Sequence, residues 1–385
     1  MTRSEPRKAG ILPSQEIQEL IRNGKIRSRL EIPDSQIQPA SIDLRLGNVA
    51  HRVRASFLPN GRSPIGPKIR ELQLSEIDLS KPAELGTGEV FIVPLIESLE
   101  LPPDMGGKAN PKSTTGRLDI FTRLITECGA PFEEVPLGYK GDLYVEIVPR
   151  TFSIIVKEGT RLNQLRFFRG TSESDDEQLR KLAQKRQLVY YENGNASARP
   201  TIQDGLRVSI DLEGEGPDSV VAYKAKDNHT PIDLARTNEY DVADFWEPIL
   251  AGNAKNLVLT PGAFYLLASK EKVAVPAQYA AEMESYDPSI GEFTVHYAGF
   301  FDPGFGYGLQ GEIKGTKAVL EVRAHELPIL LEDGQKVIRL IYHRMADVPD
   351  KLYGQAIGSS YQQQGLALSK QFKPVESARS AVPKS

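Results

Sequence analysis

Apolar residues recur along this chain at two periods. In SQEIQELIRN (14–23) they recur at helical spacing, with Ser14 as N-cap and Gly24 as stop, which predicts a short amphipathic helix. From Ala40 the period is two. Runs such as ASIDLRL (40–46), EVFIVPLIESLEL (89–101), DLYVEIVP (142–149), FSIIVKEG (152–159) and NQLRFF (163–168) are separated by Gly and Pro turns, which predicts a mainly β core with a few short helices. TSESDDEQLRKLAQKRQ (171–187) carries acidic residues early and basic residues late, as the helix dipole prefers, and reads as a solvated connector helix. YYENGNASARP (190–200) reads as a linker.

The second half repeats the first. GDLYVEIVPRTFSIIVKEGTRLNQLRFFR (141–169) lies over GTKAVLEVRAHELPILLEDGQKVIRLIYHR (315–344), so that Glu146 meets Glu321, Gly159 meets Gly334, Leu165 meets Leu340 and Arg169 meets Arg344. GEVFIVPLIESLELP (88–102) lies over GAFYLLASKEKVAVP (262–276). So long a period marks a duplicated domain rather than a solenoid repeat. The division expected is 1–195, ending in the connector helix, and 196–385. Trp246, in DFWEP, is expected in the core.

Composition narrows the chemistry. A net charge of −4 argues against duplex nucleic acid as the main partner, while leaving room for a local anion pocket. The one cysteine, Cys128, rules out an internal disulfide framework, fits a reducing cytoplasm and cannot complete a zinc site built on two cysteines. The five histidines include no i, i+4 pair. No apolar leader opens the sequence and no apolar run reaches the length of a membrane span.

NPKSTTGRLDIF (110–121) gathers Lys, Ser, two Thr and Arg, the donors that a polyphosphate needs. It lacks the form of a P-loop and no helical pattern follows it. Alone, a solvated Ser/Thr turn would explain it. Its neighbours add weight: IQPASIDLRLG (37–47) precedes it and DLYVEIVP follows. Asp43 in the first of these reads as structural, holding a turn or bonding backbone. The second half offers HYAGFFDPGFG (296–306) and AVLEVRAHELP (318–328). Laid over the loop, EMESYDPSIGEF (282–293) exchanges Lys112 for Glu284, Thr114 for Tyr286, Thr115 for Asp287 and Arg117 for Ser289. Carboxylates there would repel a triphosphate. In turn, Pro136 in the first half falls where the second has Asp302. Each half keeps what the other lacks.

Together these motifs resemble the dCTP deaminase branch of the dUTPase-like superfamily, in a two-domain form. The resemblance implies two tandem domains of distorted β-barrel or jelly-roll type. It implies hydrolysis of dCTP to dUTP and ammonia in the cytoplasm by a homo-oligomer, without zinc and with Mg2+ carried only by the triphosphate. It places Lys112, Ser113, Thr114 and Arg117 at the phosphates, with Ser113 and Arg117 also assisting catalysis. It places Ala298 at the base, Asp302 at the sugar 3′-hydroxyl, Phe305 beside them and Glu321 in the catalytic slot. Glu312 keeps the family's spacing from Asp302 and is the rival to Glu321; Glu146 reads as structural or vestigial. Tyr353, Tyr361 and Gln364 match a nucleotide-covering tail, with Ser360 where the family has lysine and Lys370 as a substitute. In the superfamily the phosphate loop of one subunit faces the base pocket of its neighbour, so the resemblance implies one site shared by the two repeats. A dUTPase, a bifunctional deaminase–diphosphatase and a non-catalytic nucleotide-binding module are the other readings.

Overall fold

The period-two runs become strands because alternate side chains can then enter two different apolar layers. The computed structural model describes residues 8–59, 61, 63–191, 199–285, 293–296, 299–354 and 365–375. In the first half one sheet runs in the order Gln73–Asp78, Val49–Val53, Val90–Glu100, Lys140–Pro149, Ile120–Thr126. The other runs Gly10–Ile11, Arg161–Arg169, Met105–Pro111, Glu134–Val135, with Ile42–Arg45 also paired to Arg161–Arg169.

The second half reproduces both sheets. Trp246–Leu250, Val220–Ala225, Phe264–Val273, Thr316–Ala324 and Phe293–His296 form the first, and Leu206–Ser209, Lys336–Arg344, Tyr279–Ser285 and Phe300–Phe301 carry the second. The strand register matches as well. Glu146 stands opposite Ile92 and Arg123, and Glu321 opposite Leu266 and His296.

The halves share a core. Phe91 and Val145 of the first half lie in one buried cluster with Trp246, Phe264, Leu266 and Val319 of the second. Burying a side chain such as Phe91 or Phe264 contributes about 1.5–3 kcal/mol, so this layer welds the repeats together. The second half also lends a strand: Ile232–Asp233 pairs in parallel with Ile154–Ile155.

Two helical expectations change. Ser14 is the first residue of the helix Ser14–Arg22, behind Pro13 as N-cap, and no side chain caps that end. Its N–H instead donates to Pro39 O at 3.0 Å, so docking on the neighbouring chain replaces the cap. The connector helix is Asp176–Lys185, capped by Asp175, whose carboxylate accepts the Gln178 N–H at 2.8 Å. Its Leu179 is fully buried in the second half's core, so by packing it goes with that half rather than with a first domain ending at 195. No helix among the described residues is long and apolar enough to cross a membrane.

Candidate active site

The phosphate-type loop is a single tight turn. The strand Met105–Pro111 delivers it, and the Lys112 N–H donates to Leu162 O at 2.8 Å. One helical turn, Ser113–Gly116, follows, closed by Gly116 N–H to Lys112 O at 3.0 Å and Arg117 N–H to Ser113 O at 3.1 Å. Thr115 is buried and donates its hydroxyl to Leu162 O at 2.8 Å, which removes it from the set of free phosphate donors. The turn ends at Asp119, whose φ of 54° lies in the left-handed region.

A cavity of about 500 Å³ opens in front of this turn. Lys112, Ser113, Thr114, Arg161 and Gln164 line it from the first half, and Asp302, Tyr353 and Lys370 from the second. Asp43 is buried beneath it and pairs with Lys112, with Arg161 3.7 Å from its other oxygen. The expectation that Asp43 holds a turn is therefore replaced: its carboxylate aligns two cations at the mouth of the cavity.

The second half meets this loop within the same chain. Glu321 is buried, and a methyl group on Gly116 would collide with its carboxylate, so the carboxylate lies close against the bare backbone of the loop. Only glycine leaves room for that approach. Two residues along the strand, Arg323 pairs with Asp119 and donates to the Thr151 hydroxyl at 2.9 Å. Asn110 Oδ1 accepts the Gly299 N–H at 2.6 Å. Asp302 is bound by Arg166 of the first half, Nη2 to Oδ1 at 3.1 Å. Burial pushes the Asp302 carboxyl above the usual carboxylate range, while Arg166 and Lys112 pull it back.

Two family models match the chain over nearly its whole length. The N-terminal domain of 2′-deoxycytidine 5′-triphosphate deaminase matches residues 8–171, and the C-terminal domain matches 175–372. The chain belongs to the dCTP deaminase family. By family it is a hydrolase acting on a carbon–nitrogen bond. A dCTP deaminase from Agrobacterium tumefaciens, solved by crystallography, is similar at 47% identity with a TM-score of 0.83, over 89% of this chain and 100% of that one. Proteins described as "dCTP deaminase, dUMP-forming" are also similar. That of Dictyoglomus thermophilum is 29% identical over 46% of this chain and 88% of its own length. That of Streptomyces coelicolor is 31% identical over 43% and 83%.

The remaining residues that the sequence singles out fall as follows. Arg117 is buried, and its Nη1 donates to Ala367 O at 2.9 Å. The returning tail also brings the Ser369 hydroxyl to Thr114 O at 3.3 Å, so residues 367–371 strap the loop from the second half. Tyr353 lines the cavity, and Phe305 packs behind it with ring centroids 5.3 Å apart. Phe305 is not a lining residue; it supports one that is. Glu312 lies in an exposed turn, where its carboxylate accepts the N–H groups of Leu309 and Gln310 at 2.9 and 2.8 Å. Those bonds hold its carboxyl below the usual range and away from the cavity. Ala298, Ser360, Tyr361 and Gln364 lie outside the described residues.

Strand register corrects one sequence comparison. Ala109 stands opposite Leu165 and Met283 opposite Leu340, so Asn110 matches Glu284 and Lys112 matches Tyr286. The direct overlay that set Glu284 against Lys112 was two residues out, because it followed the loop residues alone and not the pairing that fixes the strands. Glu284 pairs with Arg339 at 2.9 Å instead of standing at a loop tip. Tyr286, Asp287 and Ser289 lie outside the described residues.

Sequence reasoning missed Arg166, Arg161, Arg323 and the cation-aligning role of Asp43. One signal was available for Arg166. It sits in a strand whose second copy carries Ile341 at the same place, and a charge where a repeat has an aliphatic residue marks a special contact.

Proposed function

We propose that the chain hydrolyses dCTP to dUTP and ammonia at one site built from both repeats. The observation that carries the reading is the Glu321 carboxylate against Gly116, inside the turn that also presents Ser113 and Arg117. Lys112, Thr114 and the neighbouring Arg161 and Lys370 hold the triphosphate, which brings its magnesium with it. Asp302 accepts the sugar 3′-hydroxyl, and Ala298 lies along the base. Tyr353, Tyr361 and Gln364 cover the nucleotide.

Deamination needs a water at C4 of the cytosine, a base for its proton, and an acid for N3 and the leaving amine. Glu321 takes the proton from the water as oxygen bonds to C4 and passes it to N3. It then carries the second proton to the amino group, which leaves as ammonia when the C–N bond breaks. A buried carboxylate suits both directions of transfer. Ser113 positions the water. Arg117, held by Ala367 O, supplies fixed positive charge where negative charge builds on the attacking oxygen and the ring.

A second reading has a specific observation behind it: the half-length relatives are named for forming dUMP. In that case pyrophosphate would leave as well. Incubation with dCTP, with ammonia and pyrophosphate measured separately, tests both. Ammonia without pyrophosphate supports dUTP as product, and equal yields support dUMP. Ammonia release by a folded Glu321→Gln variant at the parental rate would sink the assignment of the base.

A further inference from the structure

We infer that Arg166 is a positioning residue for sugar recognition: from the first half it fixes the Asp302 carboxylate of the second half where the nucleotide's 3′-hydroxyl arrives. The inference rests on the role proposed above for Asp302. Arg166 lies on the strand Arg161–Arg169 and is 2% exposed. Its Nη1 donates to Ala281 O at 2.8 Å, and its Nη2 to Phe301 O at 2.9 Å and Asp302 Oδ1 at 3.1 Å. The guanidinium lies 4.0 Å over the Phe300 ring. All four partners belong to the second half. A planar fork can satisfy two carbonyls and a carboxylate at fixed angles, which a lysine ammonium cannot do. Burying that charge is costly unless it is paired, so the Arg166–Asp302 geometry is tightly held. The contact uses one carboxylate oxygen, and Asp302 also lines the nucleotide-sized cavity.

The duplication supplies an internal control. In the first half Glu134 and Val135 stand opposite Lys108 and Gly107; in the second, Phe300 and Phe301 stand opposite Glu282 and Ala281. Pro136 therefore matches Asp302. On the same strands Arg166 stands opposite Lys108 and Ile341 opposite Glu282, so Ile341 matches Arg166. Where the carboxylate has become proline, the arginine has become isoleucine. A strut that merely joined the halves would have no reason to follow the aspartate.

The test compares kcat/KM for dCTP and for 2′,3′-dideoxycytidine triphosphate in the full-length protein and in Arg166→Gln, Arg166→Lys and Asp302→Asn. The parent should favour dCTP by about 10- to 100-fold, the worth of a hydrogen bond to a charged acceptor. Asp302→Asn should bring the ratio near unity. Arg166→Gln should lower it in the same direction, mainly through KM, and Arg166→Lys should fall between parent and Arg166→Gln. The double variant should discriminate no worse than Asp302→Asn alone. A folded Arg166→Gln protein that loses activity equally on both nucleotides, keeping the parental ratio, would overturn the inference and leave Arg166 a strut. Should Arg166→Gln fail to fold, Arg166→Lys decides: a reduced ratio supports the inference and a parental ratio overturns it. A parental ratio in Asp302→Asn would refute the sugar assignment itself, and this inference with it.

Discussion

Glu146 and Glu321 occupy matching strand positions and meet different neighbours. Both are buried. Glu146 is held by Arg123, which donates to its Oε1 from Nε at 3.0 Å and from Nη2 at 2.6 Å. The same guanidinium lies 3.6 Å over the Phe132 ring. Glu133 O accepts the Ala109 N–H as Gly299 O accepts the Met283 N–H, so Phe132 stands in the chain where the second half has Ala298. The first half has thus placed an ion pair and an aromatic ring around its glutamate. The second presents Glu321 to a glycine of the loop. On the function proposed above, the first copy of the site is retired by filling it, which leaves the strands, and hence the shared core, in place.

The comparison breaks most sharply at the carboxylates. Glu321→Gln should lower kcat for ammonia release by about 10³-fold or more, whereas Glu146→Gln should change it by less than about threefold. The reverse pattern would exchange the roles of the two halves. Gly116→Ala comes next. Its new methyl group meets the Glu321 carboxylate, so the loop must shift, and kcat should fall about 10- to 100-fold with little change in melting temperature. Lys112→Ala should act on binding, raising KM for dCTP about tenfold while dCMP affinity stays nearly constant, as read by calorimetry.

The smallest effect concerns His343, which matches Phe168 in the first half. Burial, with Arg166 and Lys108 nearby, pushes its imidazole down to about 3 from 6.5. Ser172 Oγ lies 3.1 Å from its Nδ1 and Glu282 3.8 Å from its Nε2. The unfolded chain takes up this proton below 6.5 and the folded chain only near 3, so the stabilisation is complete above 6.5 and is lost as pH falls through that window. His343→Gln should remove about 1–2 kcal/mol of the acid-dependent loss between about pH 7 and 5. Urea midpoints at the two pH values measure it.

Much of this was legible in the sequence. The two-residue period gave the strands, and the repeat gave matching sheets, because both follow from which side chains must be buried. Trp246 was read as core and is fully buried. The loop residues Lys112, Ser113 and Thr114 do converge with Asp302 and Tyr353 at one cavity. The loop overlay failed at Glu284 because register is set by pairing with Lys336–Arg344, which local similarity does not encode. Arg166 and Asp43 were out of reach for a related reason: their meaning lies in partners far along the chain, Asp302 and Lys112.

The central claim is that one chain carries one complete site, with the loop from its first half and the glutamate from its second. Co-expression of Arg117→Ala and Glu321→Gln chains, with different tags and purification of the hybrid, tests it most directly through ammonia release from dCTP. Each chain then carries a defect in its own site, and the account predicts a hybrid no more active than either parent. Recovery of activity in the hybrid would mean that loop and glutamate meet between chains, and would contradict it.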